Sequence, residues 1–161
     1  LIQYKYILDN NLKGNICSMV LNSLPNWFGI EESTKDYINK SKDMLFYVAY
    51  DDKTPVGFVS IKENNPYTAE IFCMGVLEEY HNKKIGTTLL KYIHHHLRRN
   101  DFKFLMVKTL GPSHKDPYYK KTRGFYESIG FSPLEEIKEI WGENCPCLIM
   151  VKSLHHEENS L

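Results

Sequence analysis

Hydrophobic positions change their period along the chain, and each change marks an element. From Ala69 to Leu77 the residues Ile71, Phe72, Cys73, Met74 and Val76 come in near succession, the pattern of a buried strand. From Ile85 the apolar residues fall at Ile85, Leu89, Ile93 and Leu97, with Leu90 beside them, which is one face of a helix of about 3.6 residues per turn. That helix ends near Arg99-Asn100. Upstream, Gln3 to Leu8 alternates weakly as a first strand, and a helix is expected from about Lys13 to Leu24, with Pro25 at its end. Glu31-Glu32-Ser33 opens a short helix reaching about Lys40. Met44 to Tyr50 and Val56 to Lys62 read as strands of an antiparallel hairpin, because Asp51-Asp52-Lys53-Thr54-Pro55 between them is turn chemistry. Asn64-Asn65-Pro66 then turns the chain into the Ala69 strand, the third of a meander.

Downstream, Lys103 to Leu110 is a strand that follows a crossover helix, so parallel pairing with the Ala69 strand is expected. A polar loop from Gly111 to Pro117 leads to a helix over Tyr118 to Ile129. Gly130 stands where a left-handed residue ends a helix, and Phe131 is the apolar residue that folds back. Two closing strands are expected around Glu136 to Trp141 and Cys147 to Val151, joined through Gly142-Glu143-Asn144. This order predicts an α/β fold: a single domain with a mixed, mostly antiparallel sheet flanked by helices. The domain is expected over residues 1–153, with a polar, frayed tail over 154–161.

Composition narrows the function classes. Lys plus Arg equals Asp plus Glu at 20 each, so no summed field draws the protein to nucleic acid or to a membrane surface. No uncharged apolar stretch is long enough to span a bilayer and no signal-type h-region opens the chain, so a cytoplasmic location is expected. Cys17 falls in a helical pattern and Cys73 in a buried strand, which favours packed, reduced thiols over a disulfide framework. Cys145-Pro146-Cys147 lacks the spacing of a zinc knuckle. His94-His95-His96 on a helix point about 100° apart and do not converge on one ion. No metal is assigned.

Between the Ala69 strand and the Ile85 helix lies His81-Asn82-Lys83-Lys84-Ile85-Gly86-Thr87. Its backbone amides stand at a helix N-terminus, a glycine allows close approach, and two ammonium groups are near, as a ligand with two or more phosphates requires. An ordinary strand-to-helix connection with solvated lysines is the plainer alternative. The segment is neither a Walker loop nor a dinucleotide fingerprint.

The order of elements, this turn and Phe125-Tyr126-Glu127-Ser128-Ile129-Gly130-Phe131 together resemble the GNAT superfamily of acetyl-CoA-dependent N-acetyltransferases, over most of the chain. The family's turn motif, [Arg/Gln]-x-x-Gly-x-[Gly/Ala], aligns with His81, Lys84 and Gly86, so two of its three positions depart. A lysine at Lys84 is expected to keep helical dihedrals and still offer its N–H. The resemblance implies the GNAT acyl-CoA N-acyltransferase fold and acetyl-CoA as co-substrate. It implies a pantetheine arm along the backbone of Met74, Gly75 and Val76, and a pyrophosphate on the amides from His81 to Thr87. A family asparagine often found seven residues before the tyrosine of Phe-Tyr is here Tyr119, a further cofactor position.

Acetyl transfer from a thioester to an amine needs a neutral amine, a stabilised oxyanion and a proton for the departing thiolate. By resemblance, Glu70, eleven residues before His81, is the candidate base, directly or through a water. The alternative is a solvated carboxylate at the strand's start. Tyr126 matches the family tyrosine that serves the leaving thiolate; otherwise it packs under Phe131. Trp27, Phe28, Glu31 and Glu32 lie in the segment that covers the acceptor in this family, where an aromatic wall and two carboxylates suit a cationic amine. Alternatively the aromatics plug the core and the glutamates complement a helix N-terminus. The function implied is transfer of acetyl from acetyl-CoA to a primary amine of a small molecule or protein. The alternative is a non-catalytic acyl-CoA-binding or regulatory module on the same fold. The expected partners are acetyl-CoA and an amine, and the closing strands could also pair two protomers as a homodimer.

Overall fold

The structure is a computed structural model and describes residues 1–155. Its strands are β1 (Ile2–Tyr6), β2 (Leu45–Asp51), β3 (Thr54–Glu63), β4 (Thr68–Val76), β5 (Phe104–Leu110), β6 (Ser132–Ile137) and β7 (Cys147–Ser153). Its helices are α1 (Asn10–Asn22), α2 (Glu31–Ser41), α3 (Ile85–Arg99) and α4 (Pro117–Ser128), with one 3-10 turn over Glu78–Tyr80. The seven strands form one mixed sheet in the order β1-β2-β3-β4-β5-β7-β6, so the fold is a single α/β domain with helices on the sheet. No described helix is long and apolar enough to cross a membrane.

Within the domain the chain divides into two compact units, the first formed by Leu1–Lys62 and Ile71–Ile93. Here α1 starts three residues before the apolar pattern predicts, because the Asp9 side chain caps it by accepting from the Leu12 amide at 2.8 Å. Ile16, Cys17, Val20 and Leu21 of α1 are buried together with Phe46, Val48, Phe58 and Cys73. Phe46 and Phe58 stack at 5.1 Å between centroids as diagonal neighbours of a hairpin, since Phe46 lies opposite Ser60 and Phe58 opposite Val48. That hairpin pairs β2 with β3 from Leu45↔Ile61 to Asp51↔Thr54, and Asp52 takes the positive φ of 53° that its tight turn demands.

The second unit comprises Glu63–Glu70 and His94–Leu161, described to residue 155. β7 pairs antiparallel with β5 from Phe104↔Ser153 to Leu110↔Cys147, and on its other side with β6. β6 corrects the expected strand at Glu136 to Trp141, since it occupies Ser132–Ile137 instead. It is the last strand in the sheet order and is exposed from Ser132 to Glu135, so its apolar pattern is faint, and as an edge it tolerates Pro133. Ile140 and Trp141, which suggested the later strand, sit in the following loop at 43% and 42% exposure.

α4 is punctuated as its sequence requires. Asp116 caps it by accepting from the amides of Tyr118 and Tyr119, and Pro117 occupies the first turn. At its end Gly130 has φ 99°, Phe131 N–H donates to the Tyr126 carbonyl and Gly130 N–H to that of Glu127, the paired bonds of a Schellman motif. Leu154 is buried: its N–H donates to Lys103 O, and its carbonyl accepts from Arg98 Nε at 2.6 Å. Leu154 thus departs from the polar, frayed tail expected over 154–161, of which residues 156–161 lie outside the described residues.

Candidate active site

The turn after β4 lies in the first unit. Asn82 and Lys84 adopt φ of 62° and 61°, so Lys84 is left-handed and does not keep helical dihedrals. A side chain in that region carries a steric cost that glycine avoids, which gives a physical reason for the glycine of the related motif at this position. α3 begins immediately after. Its first helical bond runs from Thr88 N–H to Lys84 O at 3.0 Å, so the amides of Ile85, Gly86 and Thr87 precede the hydrogen-bond ladder. No acidic side chain occupies this first turn. The end of α3 is thus arranged for an anion, with Lys83 and Lys84 exposed beside it.

Several side chains hold the turn. His81 Nε2 lies 2.7 Å from the Val76 carbonyl; a carbonyl only accepts, so Nε2 carries the proton. Trp27 meets the His81 ring edge-on at 5.4 Å. Lys83 Nζ lies 4.9 Å over the Tyr80 ring, whose hydroxyl donates to Asp51 at 2.6 Å. That hydrogen bond to a carboxylate pushes the Tyr80 phenol upward, so it remains protonated.

On β4, Met74 and Val76 are half-buried and Gly75 is buried. A Cβ at Gly75 would stand 3.1 Å from Val20 Cγ1 and 3.2 Å from Leu24 Cδ1. The glycine therefore admits α1 close to the strand, a role in protein packing beside the pantetheine position that the resemblance implies.

Of the acceptor candidates, Trp27 is brought to the turn, while Phe28 packs edge-on against Tyr37. Both cover the core of the first unit. Glu31 and Glu32 open α2, where carboxylates complement the helix dipole. Glu31 also pairs with Lys35 at 3.0 Å on an exposed face, and that hydrogen bond holds its carboxyl below the ordinary range.

In the second unit Glu70 is 6% exposed, which removes the alternative of a solvated carboxylate. Its Oε1 accepts from Asn64 Nδ2 at 2.9 Å and lies 3.7 Å from Lys108 Nζ. Neither partner was singled out from sequence, although a lysine between the strand residues Val107 and Thr109 was a readable signal. Tyr126 is 6% exposed and meets Phe125 and Phe131, each at 5.4 Å. Tyr119 stands half-buried in the first turn of α4. Among the described residues no group of three or more His, Cys, Asp or Glu could hold a metal ion.

The profile of the acetyltransferase (GNAT) family matches residues 17–131. No curated protein matches the sequence significantly. Among solved structures, a GNAT-family protein from Desulfovibrio desulfuricans shares the fold at a TM-score of 0.82, with 18% identity over 96% of this chain and 100% of that one. An aminoglycoside 6'-N-acetyltransferase complexed with coenzyme A gives a TM-score of 0.75 at 16% identity, covering 96% of this chain and 98% of that one. A GNAT acetyltransferase from Elizabethkingia anophelis with acetyl-CoA bound gives 0.69 at 17% identity, covering 94% and 97% respectively.

Proposed function

The chain belongs to the acetyltransferase (GNAT) family, and from that membership and the turn geometry we propose that it transfers the acetyl group of acetyl-CoA directly to a primary amine of a small molecule or protein. The observation that carries this reading is the turn itself. Asn82 and Lys84 are left-handed, and the following helix opens with unladdered amides and no acid in its first turn. The coenzyme A and acetyl-CoA complexes among its structural neighbours support the choice of donor.

When bound, acetyl-CoA supplies an activated acyl group as its thioester. The amides from Asn82 to Thr87 hold the pyrophosphate, since the His81 N–H of the expected set is spent on the Glu78 carbonyl at 3.0 Å, and Lys83 and Lys84 add charge that needs no fixed geometry. The Met74 to Val76 backbone serves the pantetheine arm. Since the Val76 carbonyl already accepts from His81, that pairing falls to the rest of the segment. Tyr119 adds a cofactor contact from α4. Glu70 receives the amine proton, directly or through a water, and Tyr126 donates to the departing thiolate. Trp27 and Phe28 form an aromatic wall for the acceptor, while Glu31 and Glu32 attract a cationic amine before it is deprotonated.

Incubation with acetyl-CoA carrying an isotopically labelled acetyl group and a panel of primary amines tests the reading. The expected result is label in an amide of at least one acceptor, found by mass spectrometry. Binding of acetyl-CoA with no labelled amide from any amine would instead identify a non-catalytic acyl-CoA module.

A further inference from the structure

Glu70 and Lys108 form an ion pair unlike the others among the described residues. Lys35–Glu31 and Lys40–Asp36 are four-residue-spaced pairs on exposed turns of α2, of the kind that contributes little. Glu70, in contrast, has a side chain only 8% exposed, and Lys108 reaches it from within β5 with 33% exposure. Taking the Glu70 carboxylate out of water is costly, and well-packed apolar residues commonly serve stability as well or better. The pair is therefore poorly explained by stability alone.

The two contacts fall on one oxygen. Asn64 donates to Oε1 at 2.9 Å, a hydrogen bond, whereas Lys108 at 3.7 Å from the same atom acts as a charge. Among the described residues Oε2 accepts no hydrogen bond, and it is not one of the sealed, unpartnered polar atoms, which are His94 Nε2 and Thr109 Oγ1. Cys147, from β7, feels both charges, but burial pushes its thiol up and keeps it neutral. Met106 Sδ, from β5, lies 3.4 Å from the Asn64 amide and adds no charge.

The geometry points to Lys108 and Asn64 as positioning residues for Glu70, with Oε2 as the atom that receives the amine proton; this rests on Glu70 being the base. Lys108 sets a cation 3.7 Å from Oε1, and Asn64 fixes the carboxylate's rotation by holding that same oxygen. In the transfer the amine proton moves to Oε2, the nitrogen forms its bond to the acetyl carbon, and the carbon–sulfur bond breaks. The thiolate takes its proton from Tyr126, whose phenolate regains one from water. Protonated Glu70 then leaves Lys108 as an uncompensated cation, which favours return of the proton to water.

The test is the pH profile of kcat/KM for wild type, Lys108→Met, Lys108→Arg and Glu70→Gln, using a weakly basic amine so that its own deprotonation does not set the acid limb. Thermal unfolding of each variant is measured alongside. Lys108→Met is expected to move the acid limb up by about one pH unit or more and to regain activity at high pH, and Lys108→Arg to restore the limb. A uniform fall in Lys108→Met with an unmoved limb, while Glu70→Gln loses about 100-fold or more, overturns the positioning role and leaves the base in place. Wild-type activity in Glu70→Gln removes the base reading, and the inference falls with it.

Discussion

His81 donates its Nε2–H to the Val76 carbonyl at 2.7 Å, so the side chain at the first motif position is spent on the protein's own strand and not on a ligand phosphate. Anion recognition at the turn therefore falls to backbone amides and to Lys83 and Lys84. His81→Ala removes the hydrogen bond and the edge contact with Trp27, with an expected loss of about 1–2 kcal/mol in denaturant unfolding. An unchanged midpoint would show that the bond does not hold the turn.

Lys84 at φ 61° yields the opposite expectation for a smaller residue. Lys84→Gly relieves the left-handed cost and should raise stability by about 0.5–1 kcal/mol, net of glycine's greater freedom when unfolded. Lys84→Val, with a branched Cβ in the same region, should lose about 1–2 kcal/mol. Denaturant midpoints of the two variants check the sign.

Burial lowers the His94 imidazole from 6.5 to about 4, aided by the nearby Lys152 and Arg98 charges. The unfolded ring takes a proton below about pH 6.5, whereas the folded ring does so only near pH 4. Its contribution is complete above pH 6.5 and declines as pH falls through that window. After screening of the partly exposed ring the decline is about 1–2 kcal/mol. Thermal unfolding against pH should show a shallower fall in His94→Gln than in wild type over this range, and equal slopes would exclude His94 as its source.

Tyr126 is close-packed with Phe131 beneath a Schellman cap and is also the proposed acid. Tyr126→Phe keeps the ring and removes the hydroxyl. It should lower kcat by about 100-fold with the unfolding midpoint little changed. Loss of stability with kcat preserved would reduce the residue to packing.

The meander, the Ile85 helix and the Gly130 cap were legible because each couples a clear period to a residue with a local conformational reason. β6 was not, since an exposed edge strand bearing Pro133 has little apolar signal, and Ile140 and Trp141 drew the expected strand into a loop. The left-handed Lys84 was hidden because lysine carries no mark of positive φ; only the backbone path displays it. Asn64 and Lys108 reach Glu70 from 6 and 38 positions away (108 − 70), a contact that the fold creates and residue spacing does not encode. A glycine inside a strand, such as Gly75, suits a close backbone approach, but whether helix or ligand approaches it depends on the placement of Val20 and Leu24.

Catalysis of acetyl transfer is tested by release of the coenzyme A thiol from acetyl-CoA as primary amines are added to the protein. Wild type is predicted to give amine-dependent, saturable release, reduced about 100-fold or more in Glu70→Gln. Thiol release that no amine accelerates above the rate without protein, from a chain that binds acetyl-CoA in calorimetry, would contradict it.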